Sequence, residues 1–550
     1  MKTIISIRLL VSACLLILAI QGCNKKSELG ETAKSGILKA DPNIVYFDPQ
    51  YTGVKDGSIT GPYNSWTDIT WHDGLTCLIK AGSTFNVISD LKVTGNQTTI
   101  GSYGTGARPH IVSTAVHVFD LGGLTDVTIQ DLEIESTNNA QSCIHLFNNV
   151  RGRVINCKVH GSEWGIRNVN TTGMIHIINS EIFMTGDDGC YNQTTDSIEL
   201  SGSYIHDVNQ KWFVNPAESY SGGDGFQMVN VKYFNIHNNT IDHGTTGNKF
   251  CIIAGGDGTV TSHGIIEHNI LIRQGNDILI YMADADNVIV QYNKFENANI
   301  AIYNLSSNAH VYYNEFSNIT GNVLMLGAPV GSVTTFLNNT FYNFNTLSNN
   351  YTNVVSFENN IFSNCYGTLF VTNTTPNADY NCYNQISTMG TASIGTHSIQ
   401  ADPVFTDVST LQFKLQSGSP CIDKGVKILP SYFDMDGNAV PNGVSTDMGA
   451  HEFYGPVDIP PVVSITAPAN GANFVAPATI QITANASDAD GTISKVEFFN
   501  GTTKLGEKTV TPYSFTWSNV PTGRYSITAV ATDNMNSKTT SNTVVAWVNQ

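Results

Sequence analysis

The chain has 550 residues, of which 13% are charged and 10% aromatic, and a formal net charge of −18. That length leaves room for two or three domains with a sizeable core. Low charge with abundant Gly, Asn, Thr and Ser excludes a protein of long solvated helices and points to many strands and turns. The acidic balance argues against nucleic acid as a partner, because phosphate binding needs a basic face. A local basic cleft that holds an acidic glycan remains compatible with it.

At the start of the chain, Lys2 and Arg8 form a charged stretch ahead of an apolar run from Leu9 to Ile20. This is the length of a signal-peptide core and shorter than the roughly 20 apolar residues of a membrane span. The run closes on Leu18-Ala-Ile-Gln-Gly-Cys23, which resembles the lipobox of bacterial lipoproteins. That resemblance implies a signal peptide over 1–22, lipidation of Cys23 and a polar tether over 23–40. The protein is then expected to be exported and lipid-anchored, at the cell surface or the periplasmic face of the outer membrane. Only the acyl chains would enter the membrane, each buried methylene contributing ~0.8 kcal/mol. Eight further cysteines follow and none forms a CxxC pair, so a zinc ribbon is not expected. Several occupy apolar columns of the repeat described next, where inert buried thiols are expected.

From about residue 98 to 385 one phrase recurs: apolar, two residues, Asn or a substitute, one residue, apolar. It reads Ile236-His-Asn-Asn239-Thr-Ile241, Ile266-Glu-His-Asn269-Ile-Leu271, Val290-Gln-Tyr-Asn293-Lys-Phe295 and Val311-Tyr-Tyr-Asn314-Glu-Phe316. Phe336-Leu-Asn-Asn339-Thr-Phe341 and Phe357-Glu-Asn-Asn360-Ile-Phe362 continue it, while Leu132, Cys157, Ser180 and Ser203 hold the same place earlier. The usual step is 21 to 25 residues. Three short strands and their turns fill such a step, and coils stack about 4.8 Å apart through parallel pairing. Equivalent Asn side chains then hydrogen-bond from coil to coil.

The pattern resembles the right-handed parallel β-helix of pectin lyases, polygalacturonases and alginate- or chondroitin-degrading lyases. The handedness is implied by that resemblance. Ile44-Val-Tyr-Phe-Asp-Pro49 through Trp66 resembles the opening strand and first coil of such proteins. Asp402-Pro-Val-Phe405 to Asp447-Met-Gly-Ala-His-Glu452 resembles the closing segment of exported bacterial β-helices. Within it, Asp434-Met-Asp436-Gly-Asn438 lacks the rest of a 12-residue calcium loop, so a turn is expected there. After the Pro-rich boundary at 455–461, short alternating strands begin at Val462, Ile480, Lys495, Tyr513 and Tyr525. Their spacing is that of a β-sandwich, and Asp488-Ala-Asp-Gly491 resembles the phrasing of bacterial Ig-like domains. The expected fold is therefore all-β: a right-handed single-stranded parallel β-helix over 41–455, then an Ig-like β-sandwich over 459–550.

Two steps of the ladder are long, Ser203 to Asn239 and Asn239 to Asn269, and extra residues must leave the coil as loops. The first loop carries Trp212 and Tyr220, candidates for a sugar-stacking wall. Counting back from each anchor stacks Asp188 on Asp224, in Gly186-Asp-Asp-Gly189 and Gly222-Gly-Asp-Gly225, with Asp187 beside them. The same count gives an outward column of His145, Arg167, Tyr191 and Gln227 and an apolar inward column of Ile144, Ile166, Cys190 and Phe226. Trp164 precedes Arg167, and Lys249 falls roughly above Asp224.

Stacked carboxylates repel and need a metal, a shared proton or a basic neighbour. Asp187, Asp188 and Asp224 are candidate calcium ligands that would neutralise a uronate. Lys249, Arg167 or Tyr191 would then handle the proton of a β-elimination. Asp188 and Asp224 are alternatively the acid and base of a glycoside hydrolase, or a turn-forming ladder without chemistry. Substrate contacts are expected from His145, Trp164, Gln227, Trp212 and Tyr220. The expectation is a monomeric, extracellular carbohydrate-active enzyme on a polysaccharide, a lyase ahead of a hydrolase. The rival is a non-catalytic glycan-binding or adhesive surface protein.

Overall fold

The computed structural model describes residues 41–550 except 138–140, 209–222, 243–249, 256–261, 274–277, 283–284, 304–307, 326–332, 350–353, 373–374, 428–432, 456–457 and 536. The chain divides into two units, 1–44 and 45–550; of the first, only 41–44 are described. The lipobox with Cys23 and the tether lie outside the described residues. So do Trp212, Tyr220 and Lys249. No helix among the described residues is long and apolar enough to cross a membrane.

The second unit opens with a parallel β-helix whose coils each give a strand to three sheets, here A, B and C in chain order. In one coil the strand Cys190–Ser201 lies first in sheet A and then in sheet B, and Tyr204–His206 lies in sheet C. It pairs in parallel with Trp164–Ile178 on one side and Phe226–His237 on the other. The bend from A to B falls on Asn170, Thr194 and Asn230 in these three coils, each with φ between 52° and 58°. Asn tolerates this left-handed geometry better than most residues.

The corner from B to C explains the recurring phrase. The residue before each Asn is left-handed: Asn238, His268, Tyr292, Tyr313, Asn338 and Asn359, with φ from 50° to 57°. The Asn that follows is buried and turned toward the next coil. Asn239 N–H donates to Asn269 Oδ1 at 3.0 Å, Asn269 to Asn293 at 3.0 Å, and Asn293 to Asn314 at 2.9 Å. The ladder runs on through Asn339 and Asn360 to Asn381. In the earlier coils Ser180 and Ser203 hydroxyls accept the equivalent N–H groups.

Inward positions form columns as well. In sheet C, Phe295, Phe316, Phe341 and Phe362 stack with centroids 4.6, 4.7 and 4.9 Å apart. All eight described cysteines are buried.

The described residues of the segment from 402 to 455 fold back over the later coils of sheet C. Outward-facing Ile361 and Cys382 are buried there with Phe405, Phe413, Cys421, Ile422 and Met448. Asn338 Nδ2 donates to the Asp447 carbonyl at 2.8 Å, and Ala450 N–H to Thr340 Oγ1 at 3.0 Å. Asp434 forms a turn, its Oδ1 accepting N–H from Asp436 and Asn438 at 3.0 and 2.7 Å.

The C-terminal region is an Ig-like arrangement of two sheets. Val462–Ala467, Ala478–Ser487 and Tyr513–Val520 form one. Ala472–Val475, Val544–Asn549, Gly523–Asp533, Ile493–Asn500 and Thr503–Lys508 form the other, with Lys538–Thr540 at its side. Ile480, Ile482, Val496, Phe498, Val520 and Ile527 fill the space between.

Candidate functional site

Sheet A turns one continuous column of side chains outward. Its register runs Lys92, Asp120, His145, Arg167, Tyr191, Gln227, Ile253, Tyr281, Tyr303. The neighbouring inward column holds Phe119, Ile144, Ile166, Cys190, Phe226 and Ile252, all buried, so the strands cannot slip without exposing the core. A second outward column carries His117, Ser142 and Trp164. Thus His145, Arg167, Tyr191, Gln227 and Trp164, read from the sequence, share one face.

The groups touch. Arg167 lies over the face of Trp164, its guanidinium carbon 5.0 Å from the ring centroid. Its Nη1 donates to His145 Nε2 at 3.4 Å. His145 Nδ1 lies 3.4 Å from Asp120 Oδ1 without completing a hydrogen bond. The His145 ring stacks on His117 at 4.3 Å, and His117 Nδ1 meets Ser142 Oγ at 2.8 Å. Trp164 leans on Tyr191 at 6.0 Å.

These contacts set the protonation states. Burial, then the neighbouring His117 and Arg167, hold His145 below the ordinary imidazole range, and burial does the same to His117. Both rings are neutral at pH 7. Burial, then the charge of Asp188, pushes the Tyr191 phenol up, so it keeps its proton. The face therefore offers a fixed cation, neutral imidazoles and a protonated phenol.

Asp188 and Asp224 sit where sheet C turns into sheet A, both nearly fully buried. Asp188 Oδ1 accepts the Asp224 N–H at 2.7 Å, and Asp224 Oδ1 accepts the Phe250 N–H at 3.0 Å. The register puts Phe250 over Asp224. The two carboxylates stack as the sequence suggests, and each binds the backbone of the next coil. Asp187 donates its N–H to the Glu163 carbonyl at 2.8 Å. Gly223 lies directly on the Asp187 backbone, where a Cβ would collide with the carbonyl, so only glycine fits there. Two of the three carboxylates expected to hold calcium thus already devote an oxygen to backbone N–H groups. Calcium takes six to eight oxygen ligands.

Sequence reasoning missed His117 and Asp120, one coil before His145, and Ser142 in the strand of His145 itself, because the count of the column began at His145. It also missed Tyr281 and Tyr303, which continue the column beyond Gln227. Phe250, Tyr281 and Tyr303 stack at 5.0 and 5.3 Å, a row of half-buried rings suited to sugar faces.

Together these features define a parallel β-helix with a polar and aromatic outward face, joined to an Ig-like domain. Residues 461–529 match the bacterial Ig domain family. Among solved structures the chain is similar to the fibronectin(III)-like modules of Clostridium thermocellum CbhA: 31% identity over 16% of this chain and 94% of that one, TM-score 0.15. It is also similar to an engineered protein, at 24% identity over 18% of this chain and 24% of that one, TM-score 0.13. No curated protein matches the sequence. A β-helix scaffold with an Ig-like domain is consistent with a surface or carbohydrate-related protein.

Proposed function

We propose that the protein is an exported, lipid-anchored carbohydrate-active enzyme that binds an acidic polysaccharide along sheet A and cleaves it by β-elimination. The observation that carries this reading is Arg167, held on Trp164 between a neutral imidazole and a protonated phenol. A uronate carboxylate would pair with the guanidinium, which is suited to bidentate contact. As Arg167 turns to the substrate, the lone pair of His145 Nε2 is released and takes the C5 proton. The electron pair left on C5 forms the C4–C5 double bond, and the C4–O bond breaks. The departing oxygen takes the Tyr191 proton, and exchange with water restores both side chains. Tyr281 and Tyr303 would carry the neighbouring sugars. The lipid anchor rests on the Cys23 motif.

The test is incubation with a panel of uronic-acid and neutral polysaccharides. Unsaturated products that absorb in the ultraviolet, lost in Arg167→Ala, are expected. New reducing ends without that absorbance would instead make Asp188 and Asp224 the acid and base of a hydrolase. Binding without cleavage would leave a glycan-binding or adhesive surface protein.

A further inference from the structure

Sheet C, on a different side of the coil, carries its own cluster in the early coils, ahead of the part covered by the closing segment. The strands His110–Ser113, Glu133–Ser136 and Lys158–His160 pair in parallel, with His110 beside Glu133 and Glu135 beside His160. Ile111, Ile134 and Val159 alternate with them and are buried in the core, which pins the register. Two imidazoles and two carboxylates therefore face outward from three successive coils within one small patch.

Their geometry is convergent. One ligand atom each from His110, Glu135 and His160 lies within 4.8 Å of the others. His110 Nε2 is 2.8 Å from Glu135 Oε2, and His160 Nε2 is 3.4 Å from Glu133 Oε1. The two rings are 6.3 Å apart and nearly parallel. Both Nε2 atoms are shielded from solvent, yet neither completes a hydrogen bond. Lys158 does not neutralise the pair of glutamates, since its Nζ is bound to Glu181 at 2.8 Å.

Two comparable clusters among the described residues lack this property. On sheet B, Glu199 is satisfied by hydrogen bonds from His176 at 2.7 Å and His237 at 3.1 Å. In the closing segment Asp434 accepts backbone N–H groups, and His451 is held between Asp436 and Glu315.

We propose that His110, Glu135 and His160, with Glu133 as the fourth ligand, bind one divalent cation of the zinc class. Two imidazoles favour a borderline transition metal over calcium or magnesium, which take oxygen ligands. Tetrahedral coordination at 2.0–2.2 Å separates ligand atoms by about 3.4 Å, so side-chain rotations of roughly 1 Å close the site while the strands stay in place. The ion staples three coils across their stacking direction.

The test uses the full chain without an affinity tag, stripped with EDTA, exchanged into buffer and titrated with zinc chloride or calcium chloride. One zinc ion per chain is expected, with calcium failing to compete. His110→Ala and His160→Ala should each weaken zinc binding at least tenfold. At zinc about 100 times Kd, the folding equilibrium of the wild type should shift about 100-fold, and the variants should lose that shift. The outward, isosteric Glu135→Gln decides the matter if the alanine variants fail to fold: weakened binding supports the site, unchanged binding overturns it. Absence of stoichiometric zinc in the wild type, equal binding of calcium, or zinc affinity unchanged in folded His110→Ala and His160→Ala would also overturn it, leaving an ion-paired surface only.

Discussion

The His145 imidazole touches Arg167 through one nitrogen and faces Asp120 with the other, while its ring lies on His117. Burial and the adjacent cation disfavour its charged form, so it is a base without first having to lose a proton. On the lyase reading this sets the pH profile. Activity needs neutral His145, whose ionisation lies below 6.5, and protonated Tyr191, whose ionisation lies above 10. Product formation followed by ultraviolet absorbance should show an acid limb below pH 6.5 and a plateau through the neutral and mildly alkaline range. His145→Ala should lower kcat by about 10²–10⁴-fold and remove the acid limb. Arg167→Lys keeps the charge but loses the flat fork that stacks on Trp164, and should lower kcat/KM at least about tenfold. A variant of either kind with wild-type kinetics would remove that residue from the mechanism.

At the scale of the element, each coil is held to the next by side chains as much as by strands. Asn293 is fully buried, accepts the Asn269 N–H, and donates to the Ile266 carbonyl at 2.8 Å and to Asn314 Oδ1 at 3.0 Å. Asn293→Ala leaves a buried donor and a buried acceptor without partners, each costing about 1–3 kcal/mol. We expect a loss of roughly 2–4 kcal/mol in urea unfolding of the solenoid, and a larger loss for Asn293→Asp, which cannot donate. This corner was legible because its signal is local: a left-handed residue, an Asn and flanking apolar residues lie within six positions. The outward column from His145 to Gln227 followed by counting from it. The rest left no such local signal. Where Leu132 replaces the Asn rung, the count has no polar anchor, which hid Asp120 and His117. The sheet C cluster joins His110 diagonally to Glu135, two places beyond its register partner Glu133, and no repeat phrase marks that diagonal. The return of Asp447 to Asn338 joins residues 109 apart and leaves no periodic trace at all.

For the molecule as a whole, the closing segment is the part whose attachment depends on charge. His451 is buried between Glu315 on sheet C and Asp436 in the segment, with Lys294 and Lys414 completing the row. Burial opposes its charge, but hydrogen bonds to Asp436 and Glu315 outweigh it and push its ionisation up to about 9. Close by, Glu452 and Asp447 share a buried pocket with Asp434. Burial first, and the charge of Asp447 after it, push Glu452 up to about 7, while burial and then the neighbouring Asp423 and Asp434 push Asp447 up to about 6. In all three groups the docked segment holds its proton more tightly than the free chain does. Their contribution is therefore fully present below the ordinary values and is lost as pH rises, through about 6 and 7 for the acids and about 9 for the imidazole. Asp436, held at about 2 chiefly by His451, acts oppositely, and its contribution is lost only in strong acid. Docking should thus be tightest near pH 4 and weaken by about 3 kcal/mol for His451 alone by the time pH passes 9. Hydrogen exchange of residues 433–453, corrected for the intrinsic pH dependence of exchange, should show protection falling between pH 6 and 9.5. His451→Gln keeps two hydrogen-bonding ends without the charge and should flatten the upper part of that fall. Equal protection of the wild-type segment at pH 6 and 9.5 would mean that apolar packing around Ile361 and Met448 holds it unaided.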